Sequence, residues 1–63
     1  MPFAQIYMLE GRDAAQKKAV IEKVTAALME AVGVPKDAVR VCILEVPKEN
    51  WGIAGVSAKD LGR

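Results

Sequence analysis

Residues 13–35, DAAQKKAVIEKVTAALMEAVGVP, decide how the chain folds. Asp13 is followed three residues later by Gln16, the spacing of a capping box with aspartate in the Ser/Thr role. Beyond it, Val20 or Ile21, then Val24, Leu28 and Val32, recur at helical period with Ala27 and Ala31 beside them, giving one apolar stripe. Lys17, Lys18, Glu22, Lys23 and Glu30 occupy the remainder. Gly33 is placed to cap the C-terminus, and Pro35 bars continuation. About twenty helical residues span roughly 30 Å, enough to run back along a strand.

On either side of this helix the period changes. Residues 2–9, PFAQIYML, are apolar almost throughout, as suits a strand covered on both faces. Residues 39–46, VRVCILEV, read the same way apart from Arg40 and Glu45. Strand, crossover helix, strand is a βαβ unit, for which parallel strands and a right-handed connection are expected. The tail from Pro47 onward carries glycines and is irregular, with room for a short hairpin around Trp51–Ile53 and a final turn. The fold class is therefore α/β, a single β-α-β domain spanning residues 1–63.

Such a unit cannot be complete alone. One helix covers one face of two strands, and the other face would present a larger apolar patch than monomers tolerate. A 63-residue chain buries only about 60% of its unfolded surface, yet 52% of these residues are hydrophobic. Cys42 is the only cysteine, so no intrachain disulfide can compensate. Self-association through open strand edges and bare faces is the expected source of the missing stability.

Composition narrows the function. Nine basic and eight acidic residues, well mixed, give a net charge of +1 and no basic stripe, which argues against nucleic acid. The longest apolar run falls far short of the ~20 residues of a membrane span, and no signal-peptide pattern opens the chain. A cytoplasmic setting is expected. With no histidine and one thiol, a metal site is not expected, and neither a Ser-His nor a Cys-His arrangement can be built. Cys42 itself reads as a small buried hydrophobe.

Four features remain. Arg12 closes the first loop beside Gly11, and Arg40 sits on the second strand among apolar neighbours. Each is either a snorkelling side chain or half of a carboxylate clamp, for which the guanidinium fork is suited. Trp51, the sole tryptophan, is either a core or interface anchor or a pocket wall. Pro2 is inert if Met1 stays. If Met1 is removed, as expected before a small second residue, Pro2 becomes a rigid secondary amine. An apolar cavity with cations nearby would lower its pKa toward neutrality and suit it to act as a general base.

These features together resemble the 4-oxalocrotonate tautomerases. The resemblance covers essentially the whole chain, through PFAQIYMLEGR (2–12), QKKAVIEKVTAAL (16–28), AVRVCILEV (38–46) and NWGIAG (50–55). It implies the tautomerase/MIF-like fold in a homohexamer, a trimer of dimers. It also implies a cofactor-free isomerase of bacterial aromatic-compound catabolism, acting on dienols of the 2-hydroxymuconate type. Pro2 would be the base. Arg12 would hold the distal carboxylate and Arg40 the C1 carboxylate. Leu9, Trp51 and Ile53 would line the cavity, Trp51 standing where the family usually has phenylalanine. The arginines would reach Pro2 from neighbouring subunits. Related dehalogenases use an acid to activate water and paired arginines in the first loop, where this chain has Ile53 and Leu9–Glu10. The same fold also serves related decarboxylases, and it could persist as an oligomeric interaction module without chemistry.

Overall fold

The computed structural model describes all residues from Met1 to Arg63. Strand β1 (Phe3–Leu9) leads through a loop to helix α1 (Ala14–Val32), and a single 3₁₀ turn (Lys36–Ala38) delivers strand β2 (Arg40–Val46). A second 3₁₀ turn (Lys48–Asn50) precedes a hairpin of β3 (Gly52–Ile53) and β4 (Val56–Ser57). β1 and β2 pair in parallel from Phe3 opposite Arg40 to Leu9 opposite Val46, and β3 pairs antiparallel with β4.

The helix ends form as their residues dictate. The Asp13 carboxylate accepts a hydrogen bond from the Gln16 N–H at 2.8 Å, and the Gln16 amide oxygen accepts from the Asp13 N–H at 3.1 Å. Gly33, at φ 78°, donates its N–H to the Met29 carbonyl and closes the helix in the left-handed region that glycine enters without penalty. Asp13→Ala should destabilise the fold by about 1 kcal/mol per subunit, seen as a lower thermal midpoint at fixed protein concentration. At the hairpin, Ala54 (φ 52°) and Gly55 (φ 83°) form a two-residue loop with both centres at positive φ, matching the twist of the strands it joins.

The register sorts the strand side chains into two faces. Ala4, Ile6, Met8, Val41, Ile43 and Glu45 look toward α1, where Glu45 pairs with Lys17 at 2.8 Å, the only salt bridge in the chain. With both side chains about a third exposed, that pair contributes about 0.5 kcal/mol at most. Phe3, Gln5, Tyr7, Leu9, Arg40, Cys42, Leu44 and Val46 form the other face, where Leu9, Leu44 and Val46 are half-buried and the other five are exposed. Phe3 and Tyr7 are 60% and 62% exposed there. Only Val39 and Ala58 are buried in the whole chain. The radius of gyration is 14.5 Å, against about 11 Å for a compact chain of this length. The single chain leaves one face of its sheet largely unpacked.

Two details depart from what the residues suggest in sequence. Cys42 is exposed rather than buried, because it lies on the uncovered face. The helix stripe holds at Val20, Val24 and Leu28, which are half-buried, but Ala27, Ala31 and Val32 are exposed, whereas Thr25 and Met29 are half-buried. Thr25 and Met29 share a shallow cleft with Lys36 and Val39, at the 3₁₀ turn that follows the helix. No helix is long and apolar enough to cross a membrane.

Candidate functional site

The parallel strands place the expected site residues at opposite ends of the sheet. At the N-terminal end, the Arg40 N–H donates to the Pro2 carbonyl at 3.0 Å, so the ladder begins with these two residues. Proline lacks a donor but supplies an acceptor, and the acceptor is all this first rung uses. The Arg40 guanidinium folds back on its own turn. Its Nη1 donates to the carbonyls of Asp37 and Val39 at 2.6 and 3.3 Å, while Nε and Nη2 make no hydrogen bond within the chain. Half the fork is therefore anchored and half is free for a carboxylate. Met1, ahead of Pro2, is 84% exposed.

At the other end lies a cleft of about 400 Å³ lined by Leu9, Glu10, Gly11, Arg12, Lys48 and Arg63. The loop out of β1 builds it. The Glu10 N–H donates to the Val46 carbonyl at 3.0 Å, and the Glu10 carboxylate accepts from the Lys48 N–H at 2.9 Å. Gly11, at φ 116°, turns the chain into the conformation that presents Arg12. The tail closes the other wall. The Lys59 N–H reaches the Lys48 carbonyl at 3.3 Å, and the Arg63 N–H reaches the Ala58 carbonyl at 2.9 Å. Trp51, half-buried, follows the same 3₁₀ turn and donates its backbone N–H to the Lys48 carbonyl at 3.3 Å. Ile53 is half-buried two residues on, in the hairpin.

The chain thus brings together Pro2 with Arg40, and Leu9 with Arg12. It does not bring the two groups to each other. Six residue steps of strand separate Phe3 from Leu9, about 20 Å at the usual rise. Neither cleft of the chain is lined by Pro2, Arg40, Trp51 or Ile53. Lys48 and Arg63, which share the cleft with Arg12, carry no signal in the sequence. No periodicity links them to residue 12, and only the folded tail makes them neighbours. No cluster of three or more histidine, cysteine, aspartate or glutamate side chains is placed to hold a metal ion.

Comparison with known proteins adds the family. A family model described as Tautomerase enzyme matches residues 2–61. A 2-hydroxymuconate tautomerase of Comamonas testosteroni is 79% identical over 63 residues, all of both chains. Among solved structures, one from work on the 4-oxalocrotonate tautomerase isozymes of Methylibium petroleiphilum superposes with a TM-score of 0.96 at 74% identity, covering 98% of this chain and 100% of that one. Another, from a heterohexamer 4-oxalocrotonate tautomerase of Chloroflexus aurantiacus J-10-fl, gives 0.92 at 39% identity over 97% and 98% of the two chains. The β-α-β fold with its C-terminal hairpin is the one these structures share. The match over almost the entire length leaves the reading of a non-catalytic module without support: the chain belongs to the tautomerase family and is an isomerase.

Proposed function

We propose that the chain catalyses the cofactor-independent tautomerisation of a small dienol dicarboxylate of the 2-hydroxymuconate type, in aromatic-compound breakdown, with Pro2 as the base. Removal of Met1 frees the Pro2 nitrogen. That nitrogen takes the proton of the 2-hydroxyl group, the double bonds shift along the conjugated chain, and the same proton is returned to C5. The C1 carboxylate and neighbouring oxygen rest on the unspent Nε and Nη2 of Arg40, which stabilise the charge that builds on that oxygen. Arg12 holds the distal carboxylate, and Leu9, Trp51 and Ile53 form the apolar wall that keeps the amine uncharged.

The observation that carries this reading is the split of the site residues between two ends of the sheet. A base about 20 Å from the residue that must hold its substrate cannot use that residue from its own chain. A neighbouring subunit has to supply Arg12, and the uncovered face of Phe3, Tyr7, Leu9, Leu44 and Val46 is where such a subunit packs. The assembly we propose is a homohexamer with active sites shared between subunits.

The reading is tested by following a 2-hydroxymuconate-type dienol spectrophotometrically. Arg40→Ala should lower kcat by about a hundredfold, because its interaction strengthens as charge develops. Arg12→Ala should act mainly through KM, raising it about tenfold. Loss of neither activity nor affinity in either variant would remove both arginines from the site.

A further inference from the structure

Glu10 joins the loop after β1 to the turn after β2. Its backbone N–H donates to the Val46 carbonyl at 3.0 Å, one residue past the paired strands, and its carboxylate accepts from the Lys48 N–H at 2.9 Å. No other hydrogen bond links residues 10–13 to residues 47–63. The bond answers a need of the turn. Lys48 opens the 3₁₀ turn with its N–H outside the turn's own hydrogen bonds, and the preceding Pro47 makes no side-chain cap. Glu10, 38 residues away in sequence, supplies the missing acceptor.

The two segments so joined carry different candidate site residues. Arg12 stands two residues past Glu10, across Gly11 at φ 116°. Trp51 follows the turn directly. Its N–H and that of Lys59 both donate to the Lys48 carbonyl at 3.3 Å, and its carbonyl accepts from the N–H of buried Ala58 at 2.7 Å. Turn, Trp51 and tail are thus held as one body, and Glu10 ties that body to the Arg12 loop. We propose that Glu10 is a positioning residue, whose carboxylate oxygen sets the relative placement of Trp51 and Arg12 and thereby the binding of the substrate. The inference rests on the tautomerase reading given above, in which both residues contact substrate. A role through charge makes a different prediction, because Glu10 also shares its cleft with Arg12, Lys48 and Arg63.

Two conservative variants separate reach from charge. Glu10→Gln keeps an acceptor oxygen at the same distance and loses the charge, whereas Glu10→Asp keeps the charge and withdraws the oxygen by one methylene. On a 2-hydroxymuconate-type dienol, Glu10→Asp should raise KM about fivefold with kcat little changed, while Glu10→Gln stays within about twofold of wild type. Trp51 is the only tryptophan, so its fluorescence reports on the turn without substrate. Emission should move to the red and acrylamide quenching should increase in Glu10→Asp, and both should match wild type in Glu10→Gln. The reverse ranking assigns the effect to charge and overturns the proposal, as does any result in which the two variants behave alike. An unmoved Trp51 emission in Glu10→Asp overturns it too. Sedimentation is measured beside the kinetics, and a Glu10→Asp protein that no longer assembles as wild type does marks a structural role instead and overturns the proposal. Wild type inactive on the dienol is a failure of the tautomerase reading alone. The emission ranking then still decides: red-shifted Glu10→Asp with unshifted Glu10→Gln supports the placement of Trp51 by Glu10, and any other ranking overturns it.

Discussion

Pro2→Ala is expected to lower kcat/KM for a dienol dicarboxylate by at least about a hundredfold, and up to about ten-thousandfold, without loss of fold. The structural part of that expectation follows from the first rung of the ladder. Pro2 contributes its carbonyl, as acceptor of the Arg40 N–H at 3.0 Å, and alanine keeps that carbonyl. Stability and assembly should therefore be close to wild type. Chemically the substitution is severe. The variant retains an amine at its terminus once methionine is removed, but a primary one on a freely rotating residue, without the fixed ring that aims the nitrogen's lone pair. The chain contains no histidine to stand in. Steady-state kinetics beside circular dichroism checks the prediction. Near-normal turnover would take the base assignment away from Pro2.

Tyr7→Asp is expected to be equally severe by another route. Tyr7 lies mid-strand on the uncovered face and is 62% exposed in the single chain. If that face packs against another subunit, the substitution places an unpaired carboxylate in an apolar contact, at a cost on the order of 3–5 kcal/mol per subunit. A chain with two buried residues has nothing in reserve to offset it. The variant should be monomeric or unfolded by analytical ultracentrifugation and far-UV circular dichroism, with no measurable turnover, since no monomer holds both Pro2 and a reachable Arg12. The wild-type protein supplies an independent check, because a subunit stabilised by association must show a thermal midpoint that rises with protein concentration. A folded, active Tyr7→Asp monomer would rule out active sites shared between subunits.

What the sequence disclosed and what it concealed divide along the range of the interactions. The capping box at Asp13 and Gln16, the Gly33 cap, the parallel pairing and the bare face are set by neighbours in sequence or by a simple count of faces against layers. The partial burial of Thr25 and Met29, which share a cleft with Lys36 and Val39 of the turn after the helix, is not recorded by any periodicity. Cys42 has the sequence surroundings of a core residue because apolar strand positions usually face a layer, and the single chain supplies none over it. Arg12, Arg40, Trp51, Leu9 and Ile53 can be named as candidates one by one, but the single chain sets Arg12 and Leu9 at the far end of the sheet from Pro2. Lys48 and Arg63 join Arg12 only through the tail's hydrogen bonds to the 3₁₀ turn.

The central claim is that catalysis requires a free secondary amine at Pro2, so the most direct measurement is the intact mass of the protein in an active preparation, taken with its turnover. The expected result is a chain lighter by one methionine, with activity tracking the processed fraction when partly processed samples are compared. Full turnover by protein whose Met1 is quantitatively retained would contradict it, since the nitrogen of Pro2 would then be an amide with no basicity to use.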